Sequence, residues 1–354
     1  MRGLALAAAV VVLACNGAAA GDPPQQRTEK PPLPASGATP AFDGKRAWRD
    51  LERQVAFGPR PSGSPALQKT RDYILAELKA AGIQARQQPF VATTPIGDVA
   101  MANVVATLPG KRPERIALGS HFDTKLFNDI RFVGASDGAS STAALLELGR
   151  VLAKRPNAFT VELIFFDGEE AVVEWSRNND NTYGSRHYVQ AAQQAGTLRT
   201  LQAFVLLDMI GDKELIIRRD ANSTPWLVDI VWNAAARLGH RSVFSNELTS
   251  IDDDHIPFVR AGVPSVDIID LDYEPWHTAK DTLDAVSARS LQVVGDVVLA
   301  ALPQIEARFT KGLTLTGQRL RPRRPYVLTA VHHKMKKGHR SRRALNSQTA
   351  IVGH

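Results

Sequence analysis

The sequence predicts an α/β fold built on a mostly parallel sheet covered on both faces. Three observations predict it. Runs such as "TVELIFFD" and "QAFVLLDMIG" are continuously apolar, the pattern of strands buried on both sides. Between such runs lie stretches with helical apolar spacing, for example "ASSTAALLELGRVLAK". Acids and histidines gather just past the strand ends, the edge at which open parallel sheets bind ligands.

Taken in order, the chain opens on Arg2 and the apolar stretch "GLALAAAVVVLAC", followed by small residues. This reads as an export signal over residues 1–20 and is too short for a stable membrane span. The end "VLAC" resembles a bacterial lipobox, so Cys15, the only cysteine of the chain, is expected to carry lipid. Cleavage after Ala20 is the competing reading. Either route places the mature protein outside the cytoplasm, in the periplasm or beyond. A domain without thiols suits an oxidising compartment. Residues 21–42 are Pro-rich and read as a flexible linker.

A catalytic domain is expected over residues 43–310. "RAWRDLERQVAFG" and "SPALQKTRDYILAELKAAG" have helical spacing, and Gly82 stops the second. "ARQQPFVA", "VAMANVVATL" and "RIALGS" read as strands. Strand and helix patterns then alternate: helix "ASSTAALLELGRVLAK", strand "TVELIFFD", helix "YGSRHYVQAAQQA", strand "QAFVLLDMIG". Helix "TPWLVDIVWNAAARLG", strand "PSVDIID" and a closing helix "SLQVVGDVVLAALPQIEARF" complete the domain. The formal net charge of +7 belongs to a tail, because residues 311–354 hold eleven Lys or Arg and no acid. Without them 32 basic residues face 36 acidic ones, so the body is mildly acidic and no specific nucleic-acid contact is expected. The tail lacks apolar periodicity and is expected to be disordered.

The chemistry concentrates at strand ends. "GSHFDTK" brings His121 and Asp123, and "FVGASDGASS" brings Asp137 at the opening of a helix. "FFDGEEAVVEWS" brings Glu169 and Glu170, Asp208 ends its strand, and His277 follows "PSVDIID". Carboxylates and imidazoles without thiolates suit zinc in an open catalytic site. Side chains of neighbouring residues diverge, so one glutamate can hold metal while the other works on substrate: Glu170 as ligand, Glu169 as general base.

Asp137, Glu169–Glu170, Asp208 and His277, in that order, resemble the zinc-dependent aminopeptidase fold, a three-layer αβα architecture with a mixed, mostly parallel central sheet. Within that fold, "FFDGEEAVVEWSRNNDNTYGSRH", "LLDMIG", "IDDDHIPFVRAGVP" and "WHT" resemble the glutaminyl-peptide cyclotransferases, over roughly Arg46 to Phe309. The resemblance implies one zinc per chain held by Asp137, Glu170 and His277. It implies Glu169 as acid and base, and Asp208 and Asp253 as hydrogen-bonded helpers. Trp175 and Trp276 would line the pocket for an N-terminal glutamine of a peptide or protein. Between "IID" and "WHT" the sequence looks shorter than in animal members, and Tyr273 is placed there as an aromatic wall.

Blander readings stand beside these. His187 and His255 are expected to be structural, Trp226 and Trp232 core, Lys125 a surface lysine, and Asp167 a loop cap. The rival function is a two-zinc aminopeptidase, in which His121 and Asp208 hold a second zinc and Asp137 bridges. A hydrogen bond between Asp208 and Asp253 would make them share a proton and leave Asp208 a poor ligand, favouring one zinc. A third reading, an inactive binder of peptide N-termini, conflicts with the intact Glu169.

Overall fold

The computed structural model describes residues 41–175 and 179–311. The expected export signal with Cys15, nearly all of the linker, and the basic tail lie outside the described residues. No helix among the described residues is long and apolar enough to cross a membrane.

The domain begins with α1 (Gly44–Ala56) and α2 (Pro65–Ala80), each started by a side chain that accepts a backbone N–H. Asp43 accepts from Arg46, and Ser64 from Leu67 just ahead of Pro65, satisfying donors that a helix start leaves free. Strands β1 (Gln84–Thr94), β2 (Gly97–Leu108) and β3 (Arg112–His121) follow, then α3 (Ser141–Leu152) and β4 (Phe159–Phe166). The remainder is α4 (Tyr183–Gln194), β5 (Leu201–Asp208), β6 (Ile217–Asp220), α5 (Pro225–Arg237), β7 (Phe244–Thr249), α6 (His255–Arg260), β8 (Ser265–Ile269) and α7 (Ala288–Lys311).

Six strands form the central sheet in the order β1-β2-β4-β3-β5-β8. β1, β2 and β4 pair antiparallel, whereas β4, β3, β5 and β8 are parallel to one another, so the sheet is mixed and mostly parallel as expected. Side-chain alternation sends each strand to two cores. Ile116, Leu118, Leu163, Phe165, Val205 and Leu207 join the larger core with α1, α2, α3, α5 and α7. Ala117, Ile164, Phe166, Phe204 and Leu206 join the smaller core with α4 and α6. Two helical layers around one sheet make the three-layer arrangement. Trp232 is buried in the larger core and Trp226 packs on that core, so both are core residues as expected.

Three short elements escaped sequence reasoning. β6 and β7 form a separate two-stranded parallel ribbon. β7, "FSNELT", is mostly polar and half exposed, so it carries no apolar alternation. α6 has six residues and contains Pro257, too little for a helical period.

Candidate metal centre and active site

Four parallel strands run in the same direction, so their carboxyl ends share one edge. His121 ends β3, Glu169 and Glu170 follow β4, Asp208 ends β5, and His277 lies on the loop after β8. Asp137 sits in an irregular turn, residues 135–140, that leads into α3. Gly138 next to it has φ +86°, and a Cβ there would lie 2.6 Å from the Asp123 carbonyl oxygen, so only glycine fits this close approach.

Two groups of facing side chains result, each with donor atoms within 4.8 Å of one another: Asp137, Glu170 and His277, and His121, Asp137 and Asp208. His277 Nε2 lies 3.2 Å from Glu170 Oε1 and 3.3 Å from Asp137 Oδ2. His121 Nε2 lies 2.9 Å from Asp208 Oδ1 and 3.3 Å from Asp137 Oδ1. Asp137 Oδ2 is buried and accepts no hydrogen bond among the described residues. An orphaned buried carboxylate oxygen beside a second carboxylate and an imidazole is what a zinc ligand set requires. The residues present therefore fit the metal.

The site opens into a cavity of about 440 Å³. Asp137, Glu169, Glu170, Asp208, Asp253 and His277 line it, together with Trp175 and Trp276. Trp276 stacks on the His277 ring at 4.4 Å between centroids, and Phe127 and Phe132 meet that ring edge-on.

The sequence signature described as Peptidase family M28 matches residues 103–302. The crystal structure of an Acidobacteriales bacterium glutaminyl cyclase is similar at 42% identity and TM-score 0.74, covering 78% of this chain and 99% of that one. The glutaminyl-peptide cyclotransferase-like protein of Bos taurus is 31% identical over 271 residues, 68% of this chain and 70% of its own length. The chain belongs to peptidase family M28, among the glutaminyl-peptide cyclotransferases. The M28 fold also carries peptidase names: a leucine aminopeptidase precursor from Bacteroides thetaiotaomicron is 26% identical with TM-score 0.70, covering 75% of this chain and 98% of that one.

The electrostatics of this cyclotransferase-like site favour a cation. Burial works against charge on His277, yet Asp137 and Glu170 hold it protonated up to about 10. Burial likewise opposes charge on His121, and Asp208 and Glu169 reverse that, raising it well above the usual range. Glu170 is pushed up to about 7 by burial and by the Asp137 charge. Glu169 is raised well above the ordinary carboxylate range, first by burial and then by Asp253 and Glu170, against the pull of His121. A metal ion would supply the positive charge that these acids draw from the imidazoles.

Several residues stand elsewhere than expected. Tyr273 is no pocket wall. It is 2% exposed, packs with Met209, Ile251 and Ile269, and donates its hydroxyl to Asp281 Oδ1 at 2.7 Å. Its phenol needs a partner when buried, and a nearby carboxylate supplies one. The expected Asp208–Asp253 hydrogen bond is absent from the described residues. Asp208 is taken by His121, and Asp253 turns back to accept the N–H of Asp254 at 2.5 Å, leaving Oδ2 without a partner. Lys125 is no free surface lysine. It lines the cavity, its N–H donates to Glu170 Oε1 at 3.1 Å, and its ammonium donates to the Ala171 carbonyl.

Other bland readings match the placement. His187 stacks on Phe90, and His255 is buried with Nε2 3.0 Å from Asp220. Asp167 is structural but caps no loop after its strand: it is buried against Arg71 at 2.5 Å and accepts from Ser62 and the Ala102 N–H, all earlier in the chain.

Two buried side chains fix the backbone beneath the site. Asp123 accepts the N–H of Glu169 and of Glu170, at 3.2 and 3.3 Å, orienting both glutamates. Arg60 is fully buried and donates to the carbonyls of Gly58, Phe122, Val133 and Gly134, clamping the segment that leads to Asp137. The motif "HFDTK" flagged Asp123 by position; nothing in the sequence flags Arg60.

Proposed function

We propose that the chain is a zinc-dependent glutaminyl-peptide cyclotransferase that converts the N-terminal glutamine of peptides or proteins to pyroglutamate and releases ammonia. The observation that carries this reading is the group Asp137, Glu170 and His277, which opens on the cavity with Glu169 beside it. Similarity to proteins named glutaminyl cyclase and glutaminyl-peptide cyclotransferase supports the choice of reaction.

Asp137, Glu170 and His277 would hold one zinc, which when bound supplies Lewis-acid polarisation of the side-chain amide carbonyl. Trp175 and Trp276 flank the space for the terminal glutamine and exclude water from it. Glu169 takes a proton from the α-ammonium, and the freed amine attacks the side-chain carbonyl carbon, closing a five-membered ring. As the new C–N bond forms and the old one breaks, Glu169 passes that proton to the departing amide nitrogen, which leaves as ammonia, and the ring nitrogen gives up its second proton to the freed Glu169 carboxylate, which returns it to solvent. The nucleophile is tethered to its electrophile, so holding the substrate in the closing conformation is itself a large part of the acceleration. Asp208 is held by His121, while Asp253, whose Oδ2 has no partner at the cavity wall, and Glu170 bring negative charge to Glu169 and favour its protonated form between the two transfers.

The second reading is a two-zinc aminopeptidase, and the compact group His121, Asp137 and Asp208 favours it. The cavity lining weighs against it. His121 is not among the residues lining the cavity, whereas Asp137, Glu170 and His277 all are, which favours an open catalytic position at the latter group. We also propose the wider organisation: an export signal over 1–20 with lipid on Cys15, a linker over 21–42, the catalytic domain over 43–310 and a basic tail over 311–354. The test of function is mass spectrometry of a Gln-initiated peptide after incubation. Loss of the mass of one ammonia is expected; loss of the whole terminal residue would overturn the reading.

A further inference from the structure

Two of the proposed zinc ligands sit on irregular backbone. Asp137 lies in a turn with non-helical dihedrals, and His277 has φ +53°, a left-handed conformation that costs a non-glycine residue energy. Such strain persists only where surrounding groups fix the chain, and one carboxylate does so here for both loops. Asp281 is fully buried. Its Oδ1 accepts the Ser136 N–H at 2.7 Å and its Oδ2 the Asp137 N–H at 3.1 Å. Its main-chain oxygen accepts the Ala135 N–H at 3.3 Å.

The other end of the contact is the loop that carries His277. Tyr273 donates its hydroxyl to Asp281 Oδ1 at 2.7 Å, and the Asp281 N–H reaches the Thr278 carbonyl at 3.3 Å. His277 is thus enclosed between two residues bonded to each other, while the same carboxylate grips the turn of Asp137. The pairing joins positions more than 140 apart in sequence.

We propose that Asp281 and Tyr273 form a positioning strap that sets the separation of Asp137 and His277 and so tunes zinc affinity. The inference rests on the ligand set proposed above. Neither residue lines the cavity, so neither is expected to touch substrate. Asp281→Asn keeps one acceptor oxygen but turns an NH2 group towards a backbone N–H that now has no acceptor. Tyr273→Phe removes one hydrogen bond and leaves both backbone grips in place.

The experiment measures zinc affinity of the full chain by competition with a chelator, alongside thermal unfolding of the metal-free chain. Outer partners of metal ligands are typically worth about 10- to 100-fold in affinity, so Asp281→Asn is expected in that range and Tyr273→Phe near its lower end. The metal-free Tyr273→Phe chain is expected to unfold close to wild type. Should Asp281→Asn fail to fold, Tyr273→Phe decides alone. Zinc affinity within about twofold of wild type in the variants, whatever their unfolding temperature, would overturn the strap while leaving the functional reading intact. A wild type with no measurable zinc affinity would overturn both.

Discussion

Glu169→Gln separates the proton work of the site from its metal binding. The structure makes the substitution a clean one. Glu169 is 5% exposed and its carboxylate accepts no hydrogen bond among the described residues, its nearest basic group being His121 Nδ1 at 3.8 Å. Its backbone is held independently, by Asp123 on its N–H and by the Thr182 N–H, which donates to its carbonyl at 2.7 Å. Gln therefore keeps the volume and the chain path and removes only the ability to take up a proton. A positioned base contributes about 10²- to 10⁴-fold, or roughly 2.7–5.4 kcal/mol of barrier. Ammonia release from a Gln-initiated peptide should fall by that factor, while metal analysis still finds zinc, because Asp137, Glu170 and His277 are untouched. Glu170→Gln should instead weaken the metal site itself and lose zinc along with activity, since it removes an anionic ligand. A Glu169→Gln enzyme working within about tenfold of wild type would refute the role of Glu169 as base.

Three further outcomes are expected. Asp208→Ala should keep one zinc and lose activity; a fall in metal content from about two per chain towards one would indicate the peptidase instead. Phe258→Ala should cost about 3–5 kcal/mol, because Phe258 is fully buried and stacks on Phe204 at 4.0 Å and on Tyr188 at 5.6 Å. Thermal unfolding should drop by roughly 6–20 °C, and a drop under about 2 °C would show that the smaller core does not depend on this ring. The mature N-terminus should be a lipid-modified Cys15, and mass spectrometry finding Gly21 there would refute the lipid anchor.

The legible parts of this protein are those in which one residue type meets one environment. β3, β4, β5 and β8 are buried on both faces, so their apolar runs announce them, and the acids at their ends announce the site edge. The glutamate pair was legible because two adjacent carboxylates past an apolar strand have no packing reason to be there. The sequence neighbourhood of Tyr273 suggests the pocket, whereas its hydroxyl finds the buried Asp281. Asp208 was given the wrong partner because distance in space, not sequence, brings His121 to it before Asp253. Arg60 and Asp281 act on backbone N–H and carbonyl groups, which every residue carries. A sequence holds no mark of which backbone group a distant side chain will hold, so these clamps emerge only from the fold.

The central claim is that the terminal glutamine is cyclised rather than cut off. Incubation with a Gln-initiated dipeptide, measuring ammonia and free amino acid in parallel with zinc content, tests it most directly. The account predicts ammonia in step with pyroglutamyl dipeptide, no free amino acid, and one zinc per chain. Free amino acid without ammonia, from a chain carrying two zincs, would contradict it.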